Sequence, residues 1–342
     1  MTVSAQPNTS FPSSLSTPSP LRDLADKRGF LIGAAVDMAA LDGDPRYRAA
    51  LARECNLLVA ENVQKPHALW RGPTTYDFTH TDRLAQFAHD HGQTLRGHTL
   101  LWHQSVPRWL QEHENDYSSE ALRELLQAYV TAVVRRYRGV ITVWDVINEA
   151  VEDGETPGLR PESFWYRKLG PDYIAPLFHW AQAADPSARL YYNDYEAEAI
   201  GPKSDAIYRL VQDLLARGVP IHGVGLQGHL ENGWRLEETH RANVRRLAAL
   251  GLEWQITEAD VRMPLNGAPP TESALAAQAD AYRDLLELCL TEPGCQGFVT
   301  WGVTDAYSWI PGFRPGWGAS LLLDEDFRPK PAYFAIAEAL GR

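Results

Sequence analysis

The alternation of strand-like and helix-like segments predicts an α/β fold. Eight short apolar segments rich in β-branched residues occur along the chain, and helical periodicity fills the stretches between them. No linker-like stretch interrupts this alternation after residue 20, and 342 residues suit one large α/β barrel. These observations favour a single (β/α)8 TIM barrel over residues 21–342, with a doubly wound open sheet as the alternative.

The eight predicted strands have apolar bodies, and all but the first end in polar or aromatic residues. The fourth, Ile141 to Ile147, is the clearest, because it leads from a β-branched run directly into Asn148 and Glu149. The carboxyl ends of parallel strands meet at one face of a barrel, so a functional site is predicted there. The predicted strands are residues 30–36, 57–60, 94–101, 141–147, 190–192, 223–226, 253–257 and 297–300.

Helices are predicted where apolar residues recur at spacings of three and four. The strongest such segment runs from Leu122 to Tyr137, and Ser118 and Ser119 are placed to cap its start. Three further helices are predicted over residues 205–217, 244–248 and 272–290.

Residues 1–20 differ in composition from the rest of the chain. They are rich in Ser, Thr and Pro, without the charged start and apolar centre of a signal peptide. We expect a disordered lead-in that buries little surface and contributes little to stability.

Charge and aromatic content restrict the class of ligand. A net charge of −12 argues against nucleic acid or an anionic membrane surface as a partner, because both require a basic surface. No stretch approaches the roughly eighteen consecutive apolar residues of a membrane span. Eleven Trp and fourteen Tyr suit flat, uncharged ligands such as sugars.

The predicted strand ends bring together a set of polar and aromatic residues. Two glutamates, Glu149 and Glu258, follow the fourth strand and the seventh strand, which face each other across a barrel. Hydrolysis of a glycosidic bond needs such a pair, and Asn148 is placed to contact a sugar 2-hydroxyl. The whole set is Glu61, Asn62, Lys65, His98, Trp102, Asn148, Glu149, Tyr195, Gln227, His229, Glu258, Trp301 and Trp309.

Six motifs in order resemble the endo-β-1,4-xylanases of glycoside hydrolase family 10, over roughly Phe30 to Leu340. The first three are Arg-Gly-His-Thr-Leu-Leu-Trp-His (96–103), Trp-Asp-Val-Ile-Asn-Glu (144–149) and Tyr-Tyr-Asn-Asp-Tyr (191–195). The others are Gly-Leu-Gln-Gly-His (225–229), Ile-Thr-Glu-Ala-Asp (256–260) and Thr-Trp-Gly-Val-Thr-Asp (300–305).

The resemblance implies a retaining hydrolase of xylan and xylooligosaccharides, with Glu149 as acid/base, Glu258 as nucleophile, and no cofactor or metal. It implies that the two carboxyls are supported by Asn148, Gln227, His229 and Asp260, with Gln227 and His229 in contact with the nucleophile. It implies that sugars are bound by Glu61, Asn62, Lys65, His98, Trp102, Tyr195, Trp301 and Trp309. Glu61, Asn62 and Lys65 would hold sugars on the glycone side, and Tyr195 would lie near the leaving sugar. Trp301 and Trp309 would form the hydrophobic walls of the site. His103 remains open, as a site residue or as a brace for a loop.

Some positions depart from the family's usual residues, which leaves the finer sugar contacts open. They are Gln64, Ser105, Glu196 and Ala259. Cys289 and Cys295 lie where many members carry a disulfide, whereas Cys55 is expected to be a buried thiol in the first helix.

Two other functions are compatible with the same fold. A metal-dependent hydrolase could use His98, His103, His229, Glu258 and Asp260 as ligands, although no close His-x-His pair is present. A catalytically inactive barrel could bind a polysaccharide or an enzyme. A polymeric substrate favours action outside the cell, cytoplasmic action on imported oligosaccharides stays open, and we expect a monomer.

Overall fold

In the computed structural model, which describes residues 19–342, eight parallel strands close into a barrel. Each strand pairs with the next, and the eighth pairs with the first, where Leu31 lies opposite Gly297. The predicted TIM barrel is therefore confirmed, and the open sheet is wrong. The barrel strands are Leu31–Val36, Leu57–Ala60, Thr94–His98, Ile141–Asn148, Arg189–Asp194, Gly223–Leu226, Glu253–Pro264 and Cys295–Thr300.

Helices cover the outside of this barrel and also occur in the loops at its carboxyl end. The predicted cap is present, because Ser118 Oγ accepts a hydrogen bond from the main-chain N of Ala121 at 3.2 Å. Two short 3₁₀ helices span Pro171–Tyr173 and Asp305–Tyr307. The α-helices are Leu21–Lys27, Met38–Gly43, Pro45–Glu54, Pro66–Leu69, Thr79–Asp90, Arg108–Glu112, Ser119–Arg136, Phe164–Leu169, Ile174–Ala184, Pro202–Ala216, Glu238–Ala249, Glu272–Thr291, Ile310–Phe313 and Pro331–Gly341.

The seventh strand is longer than predicted and continues to Pro264. Its second half pairs in parallel with His229–Glu231 and antiparallel with Trp317–Gly318. These extra pairings lie at the carboxyl end of the barrel, and they place His229 directly opposite Asp260. A further hairpin, Trp70–Gly72 with Thr75–Tyr76, follows the second strand and was not predicted.

The third strand is shorter than predicted and ends at His98 instead of Leu101. Beyond His98 the chain leaves the regular ladder, because the Thr99 hydroxyl donates to the Asp145 carbonyl oxygen at 2.8 Å. The main-chain N of Leu100 bonds the same oxygen at 2.9 Å. This turn directs Trp102 toward the end of the fourth strand, where it forms a bridge with Asn148.

Large aromatic side chains fill the packing layers of the protein. Trp70, Trp144, Trp165 and Trp254 are all fully buried. Gly97 is matched to Trp144 on the adjacent strand, because a Cβ atom at position 97 would overlap the Trp144 ring. The core therefore fixes the third strand against the fourth, which carries Asn148.

The remaining sequence expectations concern the chain start and the cysteines. Residues 1–18 of the expected lead-in lie outside the described residues. Cys289 and Cys295 form a disulfide. Cys55 is a buried free thiol, but it follows the third helix and does not belong to the first. No helix among residues 19–342 is long and apolar enough to cross a membrane.

Candidate active site

The predicted site residues converge on the carboxyl end of the barrel. Glu258 lies within the seventh strand, and Glu149 follows the fourth. Both carboxyls are nearly buried, with 4% and 7% of the residue surface exposed. Burial of two carboxyls is costly unless each finds hydrogen-bond or charge partners, so their surroundings define their chemistry.

Glu258 is surrounded by donors and by positively charged groups. Asn193 Nδ2 donates to Glu258 Oε1 at 2.7 Å. His229 Nε2 lies 3.4 Å from Oε2, and His98 Nδ1 lies 3.9 Å from Oε1. Burial raises the pKa of Glu258, but His98, His229 and Lys65 outweigh burial and hold the pKa below its usual value. Glu258 is therefore a carboxylate at neutral pH, as a nucleophile must be.

His229 is held by a second carboxylate behind it. Its Nδ1 lies 2.9 Å from Asp260 Oδ2, and Trp309 Nε1 donates to the same oxygen at 2.8 Å. Burial lowers the pKa of His229, but Asp260 and Glu258 outweigh it and raise the pKa to about 10. The imidazolium therefore stays charged beside Glu258 over the whole neutral range.

Glu149 is surrounded instead by neutral donors. Trp102 Nε1 donates to Glu149 Oε2 at 2.7 Å. Gln227 Nε2 donates to Oε1 at 2.9 Å, and Asn148 Nδ2 lies 3.3 Å from the same oxygen. The Gln227 side chain thus hydrogen-bonds Glu149, and its main-chain carbonyl oxygen accepts a hydrogen bond from the Glu258 N–H at 2.8 Å. The contact between the Gln227 side chain and the nucleophile, which the resemblance implies, stays a prediction.

Two asparagines connect the surroundings of the two glutamates. Asn193 Nδ2, which donates to Glu258, also lies 2.8 Å from Asn148 Oδ1. Thr257 Oγ1 donates to Asn193 Oδ1 at 2.7 Å, which fixes the orientation of the amide. The carboxyls therefore lie at the two ends of one buried hydrogen-bond network.

The three residues expected on the glycone side lie together. Lys65 Nζ donates to Asn62 Oδ1 at 3.1 Å, and Asn62 Nδ2 donates to Glu61 Oε1 at 3.2 Å. The Lys65 ammonium lies 4.6 Å from the Trp102 ring centroid and 5.8 Å from that of Trp301. Burial raises the pKa of Glu61 to about 7, with Asp37 adding to the shift.

The His98 ring is held by a contact with a carboxylate and by a contact with an aromatic ring. Its Nδ1 lies 3.0 Å from Asp145 Oδ2, and its ring meets the Trp301 ring edge-on at 5.2 Å. Its main-chain N donates to Gln64 Oε1 at 3.0 Å. Gln64, one of the positions that depart from the family pattern, thus holds the end of the third strand.

Tyr195 lies in a charged cluster that includes Arg160, whose guanidinium also bonds the Glu149 main chain. Arg160 Nη2 donates to the Tyr195 hydroxyl at 2.7 Å, and that hydroxyl donates to Asp153 at 2.7 Å. The Lys203 ammonium lies 3.0 Å from the Tyr195 ring centroid. Among residues 19–342, no hydrogen bond joins Tyr195 to either glutamate carboxyl.

His103 lies near the same cluster, and its Nδ1 is buried with no partner among the described side chains and main chain. Burial, with Arg160 and Lys203 adding to the effect, lowers the pKa of His103 to about 4. The ring is therefore neutral at neutral pH.

Sequence reasoning missed two residues of this site. Asn193 lies inside the Tyr-Tyr-Asn-Asp-Tyr motif, directly after the predicted fifth strand, so the same strand-end rule could have found it. Arg160 lies 11 residues after Glu149 in a loop, where no strand-end signal exists.

A metal centre is not formed by the residues proposed for one. Within the part of the chain that the structure describes, no three His, Cys, Asp or Glu side chains are grouped to hold an ion. His98 Nδ1 and His229 Nδ1 instead lie against carboxylates of the protein.

Comparisons with known proteins show the family and agree with the barrel fold. The model described as Glycosyl hydrolase family 10 matches residues 20–339. Endo-1,4-beta-xylanase B of Thermotoga neapolitana is 40% identical over 323 residues, covering 94% of this chain and 91% of that protein. Native xylanase 10B from Thermotoga maritima superposes with a TM-score of 0.88 at 39% identity, covering 94% of this chain and 98% of that one. Xylanase 10B from Thermotoga petrophila RKU-1 in complex with xylobiose gives 0.89 at 38% identity, covering 96% and 98%.

Proposed function

The chain belongs to glycosyl hydrolase family 10, and from that membership we propose that it is an endo-1,4-β-xylanase with a retaining mechanism. Its substrates are xylan and xylooligosaccharides, cleaved at internal β-1,4-xylosidic bonds. A relative crystallised with xylobiose and a curated relative named as an endo-1,4-beta-xylanase support this substrate class.

The observation that carries the mechanism is the contrast between the two buried carboxyls. Glu258 lies among His98, His229 and Lys65, whose charges hold its pKa low against the opposing effect of burial. Glu149 receives hydrogen bonds from the neutral groups of Trp102 and Gln227. Unequal environments of this kind separate the roles of two carboxyls in one site.

In the first step, the Glu258 carboxylate attacks the anomeric carbon while Glu149 gives its proton to the departing glycosidic oxygen. The glycosidic bond breaks, an ester bond forms between the sugar and Glu258, and the shortened chain leaves as an alcohol. In the second step, the Glu149 carboxylate takes a proton from water, whose oxygen attacks the same carbon and releases Glu258. Two inversions give net retention, and no cofactor enters.

The other predicted site residues bind the sugar in this scheme. Trp301 and Trp309 present ring walls next to His98 and His229. Glu61, Asn62 and Lys65 offer polar contacts beside Trp102. Such a combination of aromatic faces and linked polar groups suits a neutral sugar, which has apolar C–H faces and hydroxyl edges.

A product profile tests the substrate class. Xylan, xylooligosaccharides and carboxymethylcellulose are compared side by side for reducing-sugar release, with Glu258→Ala as the inactive control. We expect internal cleavage of xylan, lost in that variant and unaffected by dialysis against a chelator. Release from carboxymethylcellulose alone, or loss of activity after chelation, would contradict the proposal.

Chemical rescue with azide tests the division of roles. Glu258→Ala should lose activity on all substrates, and azide attacking directly should give a glycosyl azide of inverted configuration. Glu149→Ala should retain activity on aryl xylobiosides with good leaving groups, because they need little protonation to depart. Azide should speed its second step and give a retained product. The opposite pair of configurations would reverse the assignment.

A further inference from the structure

Glu149 occupies an unusual main-chain conformation for a residue with a side chain. Its φ is 55°, in the left-handed region, which is sparsely populated by residues other than glycine. Such a conformation persists only where its surroundings hold it, and it often accompanies function. The direction of the Glu149 carboxyl therefore depends on whatever holds the peptide groups on either side of Glu149.

Hydrogen bonds hold those peptide groups, and His103 is one of the partners of the Glu149 main chain. Two further hydrogen bonds involve Asn193 and Arg160. The Glu149 N–H donates to the Asn193 carbonyl oxygen at 2.9 Å, on the neighbouring fifth strand. The Glu149 carbonyl oxygen accepts from Arg160 Nε, also at 2.9 Å. The second of these bonds comes from a side chain and can be removed by substitution.

The Arg160 guanidinium has partners on both sides. Besides the Glu149 carbonyl, it donates through Nη2 to the Tyr195 hydroxyl at 2.7 Å and lies 3.5 Å from Asp153. Its side chain is only 18% exposed, and its main-chain N bonds the Ala150 carbonyl oxygen at 2.9 Å. The planar, rigid fork of Arg can make these two bonds together, which the single ammonium of Lys cannot do in the same geometry.

We propose that Arg160 is a positioning residue that aims the Glu149 carboxyl at the leaving oxygen and ties that aim to the position of Tyr195. This inference rests on the proposed role of Glu149 as acid/base. Arg160 donates to the main chain of Glu149 and to the residue expected beside the leaving sugar, so it aligns the acid with the group that receives its proton. The carboxyl itself keeps its direct partners, Trp102 and Gln227.

The test compares substrates that differ in their need for an acid. In Arg160→Lys, kcat on xylooligosaccharides should fall by about tenfold or more, since small misplacements of a reacting group cost this much or more. The rate of the first step on dinitrophenyl β-xylobioside, whose leaving group departs without a proton, should fall by less than about threefold. Arg123→Lys is the matched control, because Arg123 also donates to a main-chain carbonyl, that of Leu169, away from the two glutamates. It should change neither rate.

Each other outcome overturns the proposal. An equal loss on both substrates would mean that Arg160 serves the fold or general binding, and no loss would mean that Glu149 is held without it. If Arg160→Lys does not fold, as judged by near-ultraviolet circular dichroism, Arg160→Gln is measured in the same way. Failure of both to fold would make Arg160 a structural residue. A failure of the acid/base assignment is recognised separately, because Glu149→Ala would then show no dependence on the leaving group.

Discussion

The two glutamates show how neighbours set the chemistry of identical side chains. Glu258 has charged neighbours, and one of them is Lys65, whose ammonium lies over the Trp102 ring. Glu149 has indole and amide donors, which give hydrogen bonds without bringing a full positive charge.

The charged pair of His229 and Asp260, which lies behind Glu258, should make the stability of the protein depend on pH. The folded protein binds a proton at His229 with a pKa of about 10, whereas an unfolded histidine titrates near about 6.5. The stability that this protonation contributes is therefore complete below about pH 6.5 and is lost as the pH rises toward about 10.

We predict that His229→Gln lowers the free energy of unfolding most at about pH 6. This excess of wild type over the variant should shrink steadily as the pH rises to about 10. Urea unfolding at a series of pH values measures the difference. His89→Gln is the control and should cost little, because the His89 side chain is 84% exposed. An excess that does not change with pH would contradict the assigned charge of His229.

Individual residues were predictable where a strand end or a motif marked them. Glu149, Glu258 and His229 all follow such signals. The hydrogen-bond partners of the two glutamates were harder to predict, since the Gln227 side chain donates to Glu149 and the Asn193 side chain donates to Glu258. These pairings depend on the angle at which neighbouring strands present their side chains, which the spacing along one chain does not contain.

At the scale of elements, buried parallel strands were predictable because both faces are apolar and leave a continuous run in the sequence. The sequence predicts the seventh strand only as far as Thr257, because Glu258, Asp260 and Arg262 interrupt the apolar pattern. Those polar groups are paired by residues of the site and of the adjacent strand His229–Glu231, so the strand continues through them. The hairpin at Trp70–Tyr76 was missed because its strands have only three and two residues.

The contact between the third and fourth strands makes a sharp prediction about packing. Gly97→Ala should lower the free energy of unfolding by about 1–3 kcal/mol or more, because its methyl group would overlap the buried Trp144 ring. Gly43→Ala is the matched control and should be neutral or slightly stabilising, since it ends a helix and no atom lies within 4 Å of its added Cβ. Urea unfolding measures both, and equal effects would show that the strand contact tolerates a methyl group.

For the whole molecule, closure of the barrel brings distant parts of the chain to one face. The fourth strand and the seventh are separated in the sheet by the fifth and sixth, so their ends face each other across the opening. Asn193 on the fifth strand and Gln227 after the sixth reach the two glutamates from between those strands. The order of strands around the barrel thus determines which amides lie between the two carboxyls.

Stereochemistry is the property that depends most on the whole barrel, because it follows from the distance between carboxyls on two strands that are not neighbours. Retaining enzymes hold their two carboxyls about 5 to 5.5 Å apart, whereas inverting ones leave room for a water at roughly 6.5–9.5 Å. The network through Asn148 and Asn193 joins the surroundings of the two glutamates with direct hydrogen bonds, and membership of glycosyl hydrolase family 10 favours the retaining arrangement. We therefore predict that proton NMR during hydrolysis of a xylooligosaccharide shows the β-anomer of the new reducing end first, followed by slow mutarotation to the α-anomer. Initial appearance of the α-anomer would mean inversion, and Glu258 would then be a base that activates water and not a nucleophile.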